Sequence, residues 1–296
     1  MNKKIVLISA AIIFVISYYI ITFNRGNGYS HENSLHEWRI VSLSPVITEM
    51  LYASGLGEQI VANTNFCLYP PEAANKAKIG SLSNINYEYA LSLGINAAVV
   101  YKGATKEKEI FENLGIKTVE INTDSIESIL SSFDAIGTAF NKKETTDKEK
   151  NRIIAELNKY KINNFNGKKP KVLTVVFRPD GTKGIQSVTA AGATGIYNDI
   201  LTMLGAENAL QDKRPYPEIS KEGIININPD IIIEVSFKMS SGKISDWDNL
   251  KNTVNAVKNG CVYMSNDTVM SLPGPRLPII VDFFANILSS DEKCLK

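Results

Sequence analysis

Behind Lys3 and Lys4 the chain runs uncharged from Ile5 to Phe23, 19 residues with no polar face. As a helix that run spans about 28 Å, nearly the hydrocarbon thickness of a bilayer. Signal-peptide cores are shorter, about 7–15 residues, and end at a small-residue cleavage site. No A-x-A site and no cysteine for lipid attachment follow the run. The pattern predicts an N-terminal hydrophobic helix within residues 1–25 that stays as an anchor, its lysines keeping the N-terminus cytoplasmic and the rest exported. A cleaved signal is the alternative. Residues 26–38, polar and glycine-containing, read as a tether.

Beyond the tether, short apolar runs alternate with helical spacing. Arg39–Leu43 reads as a strand, and Ser44-Pro45 supplies an N-cap and a first-turn proline for a helix that Gly55-Leu56-Gly57 ends. Strands are predicted at 60–62, 95–101 and 117–121, with a helix from Thr105 to Leu114. The nearly continuous apolar run at 95–101 suits a parallel strand covered on both faces. Ile126, Ile129, Leu130, Phe133 and Ile136 fall at helical spacing, as do Ile153, Ile154, Leu157 and Tyr160. The second of these helices, some sixteen to twenty residues, covers about 24–30 Å, enough to cross between two domains. Strands then resume at 171–177, 230–235 and 261–264, with helices at Gly195–Leu204 and Leu277–Leu288, and the segment Arg178–Ala193 reads as a loop bordering a cleft. Such alternation predicts an α/β protein.

The chain also echoes itself. Asn86 to Val100 can be laid over Ser220 to Glu234 at a constant offset of 134 residues. Each copy has a polar N-cap candidate, an acid two positions later (Glu88, Glu222), a short apolar helix, a turn and a strand. A carboxylate there faces unpaired N–H groups of the first turn, which makes both glutamates capping residues. The echo supports two lobes of similar construction.

Composition narrows the chemistry. With 296 residues, 44% hydrophobic and 21% charged, the chain suits two globular domains and is not disordered. Residues 1–30 hold three bases and no acid, so the remaining 29 bases meet 31 acids and exert no pull on nucleic acid. Both histidines, His31 and His36, precede the first strand. That excludes Ser-His-Asp, Cys-His and histidine-based zinc sites from the fold. No G-x-G-x-x-G or P-loop is present to cradle phosphate. No catalytic residue, metal site or cofactor is predicted, a carboxylate-dependent hydrolase being the remaining enzymatic alternative. Cys67, Cys261 and Cys294 form no disulfide framework. They are read as small apolar fillers, or with Cys67 bridged to Cys261.

Binding features cluster after strand ends. Asn65 to Pro71 carries Phe66 and Tyr69 beside a stiff diproline, Tyr101-Lys102 follows one buried strand, Phe177-Arg178 its counterpart, and Phe237 comes just after Val235. Ligands of open α/β sheets bind beyond the carboxyl ends of strands. These side chains, with Tyr197, Trp247 and Arg276 as further cleft candidates, suit a large, flat, partly anionic ligand.

Arg39 to Glu49, Phe66 to Glu72, Asn86-Tyr87-Glu88, Glu222 to Ile233, Asn255 to Tyr263 and Pro273-Gly274-Pro275-Arg276 occur in that order. Together they resemble periplasmic solute-binding proteins of ABC importers for vitamin B12, iron-siderophores and haem. The resemblance implies two Rossmann-like three-layer α/β lobes joined by a single long helix: an N-terminal lobe at 39–143, the connecting helix at 144–166 and a C-terminal lobe at 167–296. It implies a monomeric receptor at the periplasmic or extracellular face that holds a metal-chelate between its lobes and delivers it to an ABC permease and its ATPase. Glu88 and Glu222 match the glutamates that dock on the permease, and Phe66, Tyr101 and Lys102 the wall of the first lobe. Leu82 stands where B12 binders tend to carry tryptophan, and the absence of histidine from the lobes argues against bare zinc or manganese. A membrane-tethered sensory or structural domain is the competing reading.

Overall fold

The computed structural model describes residues 37–160, 169–179, 184–235, 243–290 and 294. The predicted N-terminal helix and tether lie outside this range, apart from the tether's last two residues. No helix among the described residues is long and apolar enough to cross a membrane.

In the first lobe, Ile40–Ser42 (β1) leads into Pro45–Ala53 (α1). The helix begins as its sequence dictates: the Ser44 side chain accepts the Ile47 N–H at 3.2 Å, and Pro45 fills the first turn. Gly55, at φ 71°, turns the chain out of it. Ile60–Asn63 (β2), Pro71–Ala74 (α2), Ala77–Lys78 (β3) and the hairpin Gly80–Ser81 (β4) with Asn84–Ile85 (β5) follow. Tyr87–Ser92 (α3), Ala97–Tyr101 (β6), Thr105–Asn113 (α4), Lys117–Ile121 (β7) and Ile126–Ala139 (α5) complete the lobe. Its sheet, ordered β3-β2-β1-β6-β7, is parallel throughout. All carboxyl ends of its strands therefore open on one edge.

Lys143–Leu157 (α6) is the connecting helix, 15 residues and about 22 Å long. It packs on α1 and α5 of the first lobe and on the last helix of the second. It stops at Leu157, short of the predicted residue 166, and residues 161–168 of the expected span lie outside the described range. Tyr160 ties its end to the second lobe, the phenol donating to Asp282 Oδ1 at 3.0 Å.

The second lobe is built on Lys171–Phe177 (β8), Ser187–Ala190 (β9), Ile196–Met203 (α7), Glu207–Asn208 (β10), Glu218–Ser220 (β11), Lys221–Ile227 (α8) and Ile231–Val235 (β12). Asn255–Lys258 (α9), Val262–Ser265 (β13) and Leu277–Ser290 (α10) close it. The order is β11-β9-β8-β12-β13, with β10 sharing the β9 edge of β8. β8, β12 and β13 are parallel, and β9 runs against β8. Part of the segment read as a loop, 178–193, is thus a strand. Its alternating burial is the period-2 signal that its Gly, Ala and Thr content obscured.

The internal echo is structural. α3 and α8 begin at Tyr87 and Lys221, and β6 and β12 span Ala97–Tyr101 and Ile231–Val235, all at the offset of 134. The cysteines correct the sequence reading: Cys261 bridges Cys294, and Cys67 is a buried free thiol.

Candidate functional site

The wall of the first lobe forms where β2 ends. Thr64 and Cys67 turn into the core, Cys67 Sγ lying 3.1 Å from Thr64 Oγ1. The residues between and after them must then turn out: Phe66, Leu68 and Tyr69 are 63%, 65% and 49% exposed. Leu82, in the turn between β4 and β5, joins Phe66, Leu43, Pro45 and Ala104 around a concave pocket of about 630 Å³ at the carboxyl ends of β1 and β2. Tyr101 closes β6 beside it, half-buried. Burial raises its phenol's pKa, against hydrogen bonds with Ser44 and Thr123 that pull the other way.

The second lobe meets this edge at two places. Arg276 forms a fork with Glu49, Nε to Oε2 at 2.8 Å and Nη2 to Oε1 at 2.6 Å, and its guanidinium carbon lies 4.2 Å from the centre of the Tyr69 ring. Glu49 is buried on α1, which holds its carboxyl above the ordinary range despite the arginine's opposing pull. Arg276 is thus held on two sides, its edge on the Glu49 carboxylate and its face on the Tyr69 ring. Tyr216, in Pro215-Tyr216-Pro217, is half-exposed, yet desolvation of its phenol and then the nearby Asp124 and Tyr101 of the first lobe raise its pKa. The lobes also touch where the Ile126 N–H donates to Asp199 Oδ2 at 3.1 Å.

Three predicted contact residues are consumed by the second lobe's interior. Arg178 donates to Glu234 Oε1 and Asp246 Oδ2, both at 2.8 Å, and to the Lys243 carbonyl at 3.2 Å. Trp247 is fully buried, its indole N–H on Glu234 Oε2 at 3.3 Å. Tyr197 is buried against Phe284 and donates to the Met270 carbonyl at 2.6 Å. None of the three has a side chain free to line a cleft. Phe177 stands exposed at the end of β8. Lys102 lines a polar pocket of about 280 Å³ with Asn122, Ser128 and Ser131, which shares no lining residue with the pocket around Phe66. Phe237 lies outside the described residues.

Glu88 and Glu222 occupy equivalent places. Each is exposed in the first turn of a short helix whose N-cap side chain, Asn86 or Ser220, accepts a backbone N–H three residues on. Neither carboxylate has an ion-pair partner among the described residues.

Sequence reasoning missed Glu49, Tyr216 and Glu234. Each had a signal: a lone acid within the apolar face of α1, an aromatic between two prolines, and an acid inside a run of isoleucines.

A frame of this kind, two α/β lobes joined across a helix with exposed aromatics after strand ends, is that of a solute-binding protein of the helical-backbone class. The profile of the "Periplasmic binding protein" family matches residues 40–268, and the chain belongs to that family. It is 25% identical over 248 residues to an "Uncharacterized ABC transporter substrate-binding lipoprotein" of Bacillus subtilis, covering 81% of this chain and 76% of the relative. It is 26% identical over 216 residues to a "Vitamin B12-binding protein" of Salmonella paratyphi A, covering 72% and 78%. Its fold superposes on a periplasmic haem-binding protein of Vibrio cholerae with a TM-score of 0.71 at 20% identity, covering 86% of this chain and 99% of that one.

Proposed function

We propose that this protein is the extracytoplasmic substrate-binding component of an ABC-type importer and captures a metal-chelate, such as a ferric siderophore, cobalamin or haem, between its lobes. The observation that carries the reading is the Tyr69–Arg276 stack, which joins the second lobe to the first-lobe loop that also exposes Phe66. Flat aromatic faces give area for a macrocycle or catecholate, and a guanidinium already bonded on one edge suits a peripheral carboxylate. Leu82, aliphatic at the pocket rim, favours iron chelates over cobalamin. Glu88 and Glu222 serve as the two permease contacts: exposed, well-separated negative charges that orient the receptor on basic sockets. The apolar run 5–23 anchors the receptor to the membrane.

The test is calorimetry and absorbance of the full-length protein in detergent with haemin, cyanocobalamin and a set of ferric siderophores. A one-to-one complex with one class, weakened by Tyr69→Ala and Arg276→Ala, is the expected result. Silence with every chelate overturns the proposal.

A further inference from the structure

Phe66, Leu68 and Tyr69 pose a physical problem: a loop that exposes three large apolar side chains gains nothing by burying them on itself, and something else must hold its shape. Lys78 is the group placed to do so. It ends β3 at the edge of the first sheet, paired in register with Asn63 of β2. Its ammonium donates to Asn63 Oδ1 at 2.6 Å, to the Cys67 carbonyl at 3.0 Å and to the Ala73 carbonyl at 3.0 Å. All three N–H bonds are thus used, and every acceptor is neutral. The Asn63 amide donates to the same Ala73 carbonyl at 2.9 Å, which closes the cage. Cys67 and Ala73 bracket Leu68, Tyr69, Pro70, Pro71 and Glu72, while Phe66 precedes the first contact. Burial lowers the pKa of the Lys78 ammonium, as befits a cation desolvated into the base of a loop.

We infer that Lys78 is a positioning residue for the ligand wall: its caged ammonium sets loop 66–71, and through it the stance of Phe66 and Tyr69, without touching the ligand. Hydrogen bonds from a charged donor are about twice as strong as neutral ones, and no neutral side chain supplies three convergent donors. The inference rests on the solute-binding reading, and its experiment separates the two.

Lys78→Met and Lys78→Gln are each made alone and combined with Phe66→Ala in the full-length protein in detergent, and affinity is measured for whichever of haemin, cyanocobalamin and ferric siderophores the unmodified protein binds. Loss of charged hydrogen bonds that set the wall should weaken binding about tenfold or more in Lys78→Met and less in Lys78→Gln. The penalty of Phe66→Ala should shrink sharply in either Lys78 background, because a ring already displaced has little left to lose. In parallel, Cys67, the sole thiol outside the disulfide, is titrated with Ellman's reagent in the native state. Its reaction should quicken at least about tenfold in both Lys78 variants, as expected when a buried thiol gains access to solvent. Strictly additive affinity penalties overturn the inference, as does an unchanged thiol rate. If the unmodified protein binds no chelate, the solute-binding reading falls, and the thiol rates alone decide whether Lys78 holds the loop. If Lys78→Met does not fold, Lys78→Gln decides by the same two criteria.

Discussion

Arg178 and Glu234 show how a single residue is decided by its partner. The arginine follows a strand end, the usual place for a ligand contact, yet its guanidinium is buried on a carboxylate that is itself fully buried. Removing one member of such a pair strands the other charge away from water. Arg178→Met is expected to cost about 3–5 kcal/mol, and Arg178→Met with Glu234→Gln to recover part of it, since the amide removes the stranded charge and its oxygen still accepts the Trp247 indole N–H; urea unfolding of both variants checks this. Asp246 adds a pH signature. The Lys243 backbone N–H first, then Arg178, holds its carboxyl below the ordinary value of 3.8, against some desolvation. A depressed folded pKa gives stability that is present above 3.8 and is lost as pH falls through the folded value. The stability advantage of the native protein over Asp246→Asn should therefore shrink as denaturation is measured at pH values below about 3.8. The position of Arg178 after β8 was legible in the sequence, but its direction was not. Glu234 comes beside it only because β12 pairs with β8 in the register that sets Glu234 against Val175.

At the scale of elements, local signals were read well where they act within one turn. Ser44-Pro45 starts α1, and the paired caps Asn86 and Ser220 start α3 and α8. Ser220→Ala should cost about 1 kcal/mol in chemical denaturation, since its side chain satisfies the Gly223 N–H. The disulfide was not legible. Cys261 and Cys294 are 33 residues apart, and only the return of the chain along α10 brings their Cα atoms to 5.8 Å. Closing a loop of that length confers about 3–4 kcal/mol in the chain-entropy account. Replacing both cysteines by serine should lower the urea midpoint accordingly, and dithiothreitol should reproduce the loss in the unmodified protein. The ends of the connecting helix were equally out of reach, because helical spacing continues through Tyr160 whereas the helix itself stops at Leu157.

At the scale of the whole molecule, the proposed docking charges make a prediction about transport. Reversing both with Glu88→Lys and Glu222→Lys should abolish chelate uptake through the cognate permease in proteoliposomes while leaving chelate affinity unchanged, since neither carboxylate borders the cleft; unaltered uptake would refute the docking role. The sequence by itself determined the alternation of strands and helices, the two-lobed repeat and which aromatic and basic residues follow the strand ends. Those features follow from hydrophobic period, caps and turns, which act over a few neighbouring residues. Tertiary structure alone decided which side chains at those ends face the cleft. Arg276 is held against Tyr69 by Glu49, 227 positions away, whereas Arg178 is taken into the core by Glu234, 56 positions away. Burial and charge pairing depend on partners that the fold assembles, and no local pattern encodes them.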